Sequence, residues 1–262
     1  MTLIQKIIKY SAIAFGIFLI VSVCLGIVSI FNRPEDISKK ELQTIVLKDE
    51  TVSKLSIELK GMKLIIETGE SLAASSNNEN VTCSQKDGKL SFIEKSRLFN
   101  RTMNGTLKII LPEGTTLDVA DFDVGAGKVT IEKLVADTVD FDFGAGEVTI
   151  GALNVKSEGD IDCGAGNFTL QSGVLYNLNM DLGIGKVDFK ADIFGNSEIN
   201  CGVGELNLRL GKKSDYTLDL NKGLGKIKVD GTECNDFGVG GGASKLEVDG
   251  GVGAINVFFD GE

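Results

Sequence analysis

Histidine is missing from all 262 residues, and its absence removes a large part of enzyme chemistry. There can be no Ser-His-Asp or Cys-His nucleophile pair and no His-ligated zinc site. Nothing marks out lysine- or carboxylate-based chemistry in their place, so the chain reads as a non-enzyme without a cofactor. Proline is nearly absent too, with two residues against 33 glycines. Frequent glycine without proline fits many short strands joined by tight corners better than collagen or a linker. Positive charge is the third shortage, leaving a formal charge of −10. So acidic a surface repels nucleic acid and anionic headgroups, which argues against nucleic-acid binding.

One long stretch lacks charge of either sign. Tyr10 to Phe31 reads "YSAIAFGIFLIVSVCLGIVSIF", 22 residues. At about 1.5 Å per residue it crosses a hydrocarbon core of roughly 30 Å. Lys6 and Lys9 precede it, while Arg33, Glu35 and Asp36 follow. The expectation is therefore a cytoplasmic segment 1–9, a transmembrane helix 10–31, a linker 32–50 and an extracytoplasmic domain 51–262 in the cell membrane. A cleaved signal peptide is one alternative, but "SIFNRPED" offers no small-residue cleavage site. Lipidation at Cys24 is another, against which stands the bulk of Val23 before it.

The domain repeats itself. Gly-x-Gly begins at Gly125, Gly144, Gly164, Gly183, Gly202, Gly223 and Gly251, at spacings of 19, 20, 19, 19, 21 and 28. A near-constant period of this length is the signature of a stacked, quasi-one-dimensional architecture. Three residues before the glycine stand Phe122, Phe141, Ile161, Met180, Ile199, Leu220 and Val248, all apolar. Two and four residues before it, fourteen positions hold eleven acids and three asparagines. This alternation predicts a half-buried strand whose inward set includes the apolar residue between the glycines. After the corner the phase slips, and Val148 and Ile150 point inward with Thr149 outward. Parity cannot change without a bend, and glycine permits one. A phosphate loop would need a third glycine and a following helix, whereas a Thr-rich strand follows here.

The fold class expected is all-β: a β-solenoid, or β-helix-like stack, of about 20-residue Gly-x-Gly repeats, regular over about 118–258, after one N-terminal transmembrane helix. "SIELKGMKLIIE" (Ser56–Glu67) is a degenerate relative of the repeat. The residues Gly231–Ser244, where the spacing expands, are expected to protrude as a loop beside an uncovered C-terminal rung.

Serial "xDxGAGxVTI" units after "LPEGTTLDV" (Leu111–Val119) resemble the bacterial "putative adhesin" domain family of unknown function. The resemblance covers roughly residues 42–262 and implies a membrane-anchored β-solenoid of the envelope-stress accessory type. It implies no catalytic residues. The reading is a membrane-anchored, extracytoplasmic, adhesin-like binding or scaffold module of the cell envelope. Its partners would be the membrane and an envelope protein or cell-wall component. The alternative is a structural or self-assembling envelope solenoid.

Two sets of residues are candidate sites. Asp123, Asp142, Asp162 and Asp181 would form a ladder of like charges about 4.8 Å apart, which calcium could relieve. The competing reading is a solvated face, partly neutralised by Lys128, Lys186 and Lys226. Phe237 and Phe258 are candidates for docking a partner at the stack's end, unless the Gly231–Ser244 loop folds over that end as a cap. Cys163 and Cys201 share an inward column two rungs apart, roughly 9–10 Å, too far for a disulfide. A pairing of Cys83 with Cys234 is left open by the sequence.

Overall fold

The computed structural model describes residues 40–49, 51–95 and 105–261. The expected transmembrane helix 10–31 and the cytoplasmic residues 1–9 lie outside them. Among the described residues no helix is long and apolar enough to cross a membrane. Strands dominate, and the helical content described is a single 3-10 turn, Lys213–Asp215.

The central strand is β8 (Leu117–Leu170), which runs through three Gly-x-Gly corners. Its successive coils lie on one another: Gly144 sits against the Gly125 carbonyl and Gly164 against that of Gly144. The second glycine of six of the seven corners explains the motif. Gly127, Gly146, Gly166, Gly185, Gly204 and Gly253 have φ between +139° and +150°, a region other residues rarely adopt. A Cβ at any of the last five would also overlap the carbonyl of the coil below.

Beyond β8 the pairing stays parallel and in register. β10 (Leu178–Lys190) pairs with β8 as Met180↔Ile161 and Val187↔Phe168, and β12 (Asn196–Lys212) pairs with β10 as Ile199↔Met180. A third, shorter side closes the coils, where β9 (Gly173–Tyr176) pairs with β8 and β11 (Asp192–Phe194) with β9. Inside run the predicted columns. Phe122, Phe141, Ile161, Met180, Ile199, Leu220 and Val248 are all buried, as are Ile150 and its equivalents. Phe122 and Phe141, from successive coils, stack with ring centroids 4.7 Å apart.

The two ends depart from chain order. β17 (Ser244–Gly261) pairs with β12 on one side, as Ile199↔Val248, and with β13 (Tyr216–Asn221) and β14 (Lys226–Val229) on the other, as Leu220↔Val248 and Ile227↔Ile255. The last segment of the described chain is thus an inner rung, and the expectation of an uncovered C-terminal rung is wrong. The Gly231–Ser244 segment does not simply protrude. It forms β15 (Thr232–Cys234), antiparallel to β14, and β16 (Phe237–Val239), antiparallel to β13, and so covers the outer edge. Returning to its slot, the chain crosses the β12–β13 connection at Gly242, where a Cβ would overlap the backbone of Asp215 and Tyr216. Thr217 Oγ1 ties the crossing by donating to the Gly242 carbonyl at 2.9 Å.

The other end has the same construction. β2 (Lys54–Leu59) and β3 (Lys63–Gly69) are an inner rung between β8 and an outer one made of β6 (Lys89–Glu94) and β7 (Thr106–Pro112). The outer rung is edged by antiparallel β5 (Val81–Lys86) and β4 (Ala73–Ser76). Within the expected linker, β1 (Gln43–Ile45) adds antiparallel to β4. Both ends of the stack are therefore closed by strands running against it, which removes the long flat edge a parallel stack would offer to aggregation.

Candidate functional site

The acidic columns occupy one face of the strand before the corner. Register places Glu58 beside Asp123, Asp162 beside Asp181, Asp181 beside Asn200, Asn200 beside Asp249, and Asp249 beside Asn221. Asparagine relieves the repulsion in the C-terminal half: Asn179 donates to Asp160 at 3.2 Å and Asn221 to Asp249 at 2.7 Å. The coils of β8 have no such interleaving. There partial burial, followed by the neighbouring carboxylates, holds Asp123, Asp140 and Asp162 above the usual aspartate range.

The three lysines expected to neutralise the ladder pair with other carboxylates. Lys128 pairs with Glu147 at 3.0 Å, Lys186 with Asp188 at 3.2 Å and Lys226 with Glu233 at 3.5 Å. No ladder aspartate takes part in an ion pair among the described residues. The calcium candidates Asp123, Asp142, Asp162 and Asp181 do share one column. Among the described residues, however, no group of three or more acid or thiol side chains converges as a metal site would require.

Alongside the ladder runs the corner itself, and here the expected burial was wrong. The residue between the glycines is only partly covered: Ile184 and Val203 are half-buried, Val252 is 41% exposed and Leu224 is 85% exposed. Positive φ, at the second glycine for Ile184, Val203 and Val252 and at the first, Gly223, for Leu224, turns the chain so sharply that this side chain stands on the bend rather than inside it. The result is an apolar ridge. Val203 lies beside Val252 in register, and the Leu224 N–H donates to the Gly251 carbonyl at 2.8 Å. Beneath Ile184 and Val203, between Phe143, Cys163, Leu182 and Phe168, is an apolar crevice of about 50 Å³.

Both crevice thiols are pushed up to about 12, chiefly by burial and then by Asp162 and Asp142 for Cys163, and by Asp249 for Cys201. Leu182 lies between them in register, so they do not pair. Cys83 lies on β5 and Cys234 on β15, at opposite ends of the stack and on the order of 40 Å apart. They cannot pair within one chain.

The two phenylalanines proposed for docking occupy different rungs. Phe237 stands on the cap strand β16 with Lys213 Nζ 5.6 Å from its ring, and Phe258 lies on the inner rung β17 under the Arg209 guanidinium at 5.7 Å. They do not form one exposed edge. Sequence reading also missed Glu94, a buried carboxylate that accepts the Lys60 N–H at 2.7 Å, the Gly61 N–H at 3.2 Å and the Asn78 side-chain amide at 3.1 Å. It satisfies the corner of the β2–β3 rung where the outer rung lacks a Gly-x-Gly to do so. The only local sign was an acid at the inward end of "KLSFIE".

No protein-family model matches the sequence, and no curated protein does. Among solved structures the chain is similar to a "putative adhesin" from Bacteroides fragilis, at 18% identity and a TM-score of 0.35, covering 84% of this chain and 98% of that one. A "putative cell adhesion protein" from Clostridium sporogenes matches at 16% identity and a TM-score of 0.30, over 84% and 98%. A "putative lipid binding protein" from Parabacteroides distasonis matches at 14% identity and a TM-score of 0.33, over 84% and 97%.

Proposed function

We propose that the chain is a membrane-anchored, extracytoplasmic β-solenoid of the cell envelope that binds a partner and catalyses nothing. The in-register parallel pairing from β2 to β14 supports the solenoid, and the uncharged run Tyr10–Phe31 behind Lys6 and Lys9 supports the anchor and its orientation. The observation that carries the binding role is the corner face. A ridge ending in Leu224 runs beside aspartates that form no ion pair among the described residues, on a framework whose stacked rungs hold it rigid. Self-assembly by end-to-end stacking is the weaker reading, because antiparallel strands cover both outer rungs. The test is a photo-crosslinking residue at position 224 of the full chain in growing cells, with protease added to protoplasts in parallel. A discrete adduct and digestion of the domain are expected. No adduct overturns the binding role of this face, and full protection overturns the extracytoplasmic placement.

A further inference from the structure

We infer that the occupant of the corner face is a cationic amphipathic helix of another protein, laid along the stack. The inference rests on the binding role proposed for this face and adds the partner's chemistry. Three features select it. First, the ridge is apolar and continuous across rungs, from Ile184 through Val203 and Val252 to Leu224, with its most exposed member at the end. Isolated exposed leucines need no explanation, but a contiguous apolar strip does.

Second, one lip of the ridge carries Asp181 and Asp249 alternating with Asn200 and Asn221, with Asp162 on the rung before it, while Lys128, Lys186 and Lys226 are engaged with other carboxylates. Charge complementarity therefore asks for lysine or arginine beside the partner's apolar stripe. A second copy meeting this face would bring the same acids against it, and anionic headgroups or nucleic acid would be repelled. Third, the crevice of about 50 Å³ admits the tip of a side chain and no more. An engineered apolar cavity of roughly 150 Å³ takes up one benzene, so this crevice is too small to enclose an acyl chain.

Spacing favours a helix over a strand as the partner. Rungs recur about every 4.8 Å along the ridge, and a helix presents one face every 5.4 Å or so. Four rungs therefore accumulate a mismatch of only about 2 Å. Alternate residues of a strand recur at about 6.8 Å and accumulate about 6 Å of mismatch over the same four rungs. The partner then carries apolar residues at i, i+4 and i+7, with basic residues on the flank facing Asp162 and Asp181.

The probe is a labelled 18-residue leucine/lysine peptide of that helical pattern, titrated by fluorescence anisotropy against the full-length chain in a non-ionic detergent. Protein-free micelles are subtracted. Binding should weaken at least tenfold in the double variant Leu224→Ser, Val252→Ser, with the melting curve unchanged because both side chains sit at the surface. Asp162→Asn with Asp181→Asn should weaken it at least tenfold and flatten its salt dependence, and a glutamate-for-lysine peptide should not bind. Binding that ignores the serine variant overturns the ridge as the docking line, as does binding of the acidic peptide. Absence of binding while position 224 still crosslinks in cells overturns the helix and leaves the binding face standing. Loss of both removes the face itself.

Discussion

A methyl group on Gly166 would overlap the carbonyl oxygen of Gly146 in the coil beneath it. Two requirements coincide at this glycine, because its φ of +139° is itself costly for any residue with a Cβ. Gly114 meets only one of them, with a φ of +80° and nothing within 4 Å of a built Cβ. Gly166→Ala is therefore expected to cost about 3–5 kcal/mol in urea unfolding of residues 37–262, and Gly114→Ala about 1–2 kcal/mol. Equal losses would mean that φ alone, not coil-on-coil approach, demands glycine at the corners.

Rung order can be read by crosslinking. Asn200 and Asn221 both stand in register with Asp249, one from each side. The pairs Asn200→Cys/Asp249→Cys and Asn221→Cys/Asp249→Cys should each form a disulfide, since neighbouring strands lie about 4.8 Å apart. Asn200→Cys/Asn221→Cys should not, being separated by a whole rung. Peptide mapping after oxidation tells them apart. A 200–221 bond would show that the stack follows chain order.

The acid ladder should make the domain more stable in mild acid. Asp123, Asp140 and Asp162 are raised in the folded state, so their contribution favours folding below the unfolded aspartate range and is lost as pH rises through their folded values. Melting temperature is expected to rise as pH falls from 7.5 toward the usual aspartate range, and to rise with salt at pH 7.5. Asp142→Asn, which removes a charge shared by all three, should stabilise the domain at pH 7.5 and shrink the gain on acidification. Destabilisation by this substitution would mean that Asp142 is held by a favourable partner.

Glu94 offers a test of the closed end. Glu94→Leu leaves the Lys60 and Gly61 N–H groups and the Asn78 amide without their acceptor, and should cost about 3–5 kcal/mol in urea unfolding. Glu94→Gln keeps one oxygen and should cost about half as much. A neutral Glu94→Leu would mean that water replaces the carboxylate at the corner.

Strand alternation and the corner were legible in the sequence because both are local. A period of two decides which side chain faces inward, and a Gly-x-Gly marks where that parity changes, so Phe141 and Ile150 could be placed without coordinates. The residue between the glycines was misplaced because its exposure depends on how far positive φ swings the bend, which alternation does not encode. Glu94 was missed because its partners, Lys60, Gly61 and Asn78, lie at least 16 residues away along the chain.

The order of the last rungs lies beyond any reading of columns. β13–β14 and β17 carry equivalent inward sets, with Leu220 matching Val248 and Ile227 matching Ile255, so either would fit against Ile199 and Leu206 of β12. Local chemistry is the same for both arrangements. What separates them is tertiary: the crossing at Gly242 and the cap strands β15 and β16, which bond to β13 and β14 and so hold that rung at the outer edge. The same arrangement puts Leu224 at the end of the ridge, so the sequence determined that an apolar residue stands at each corner, and the stacking order decided which one meets solvent.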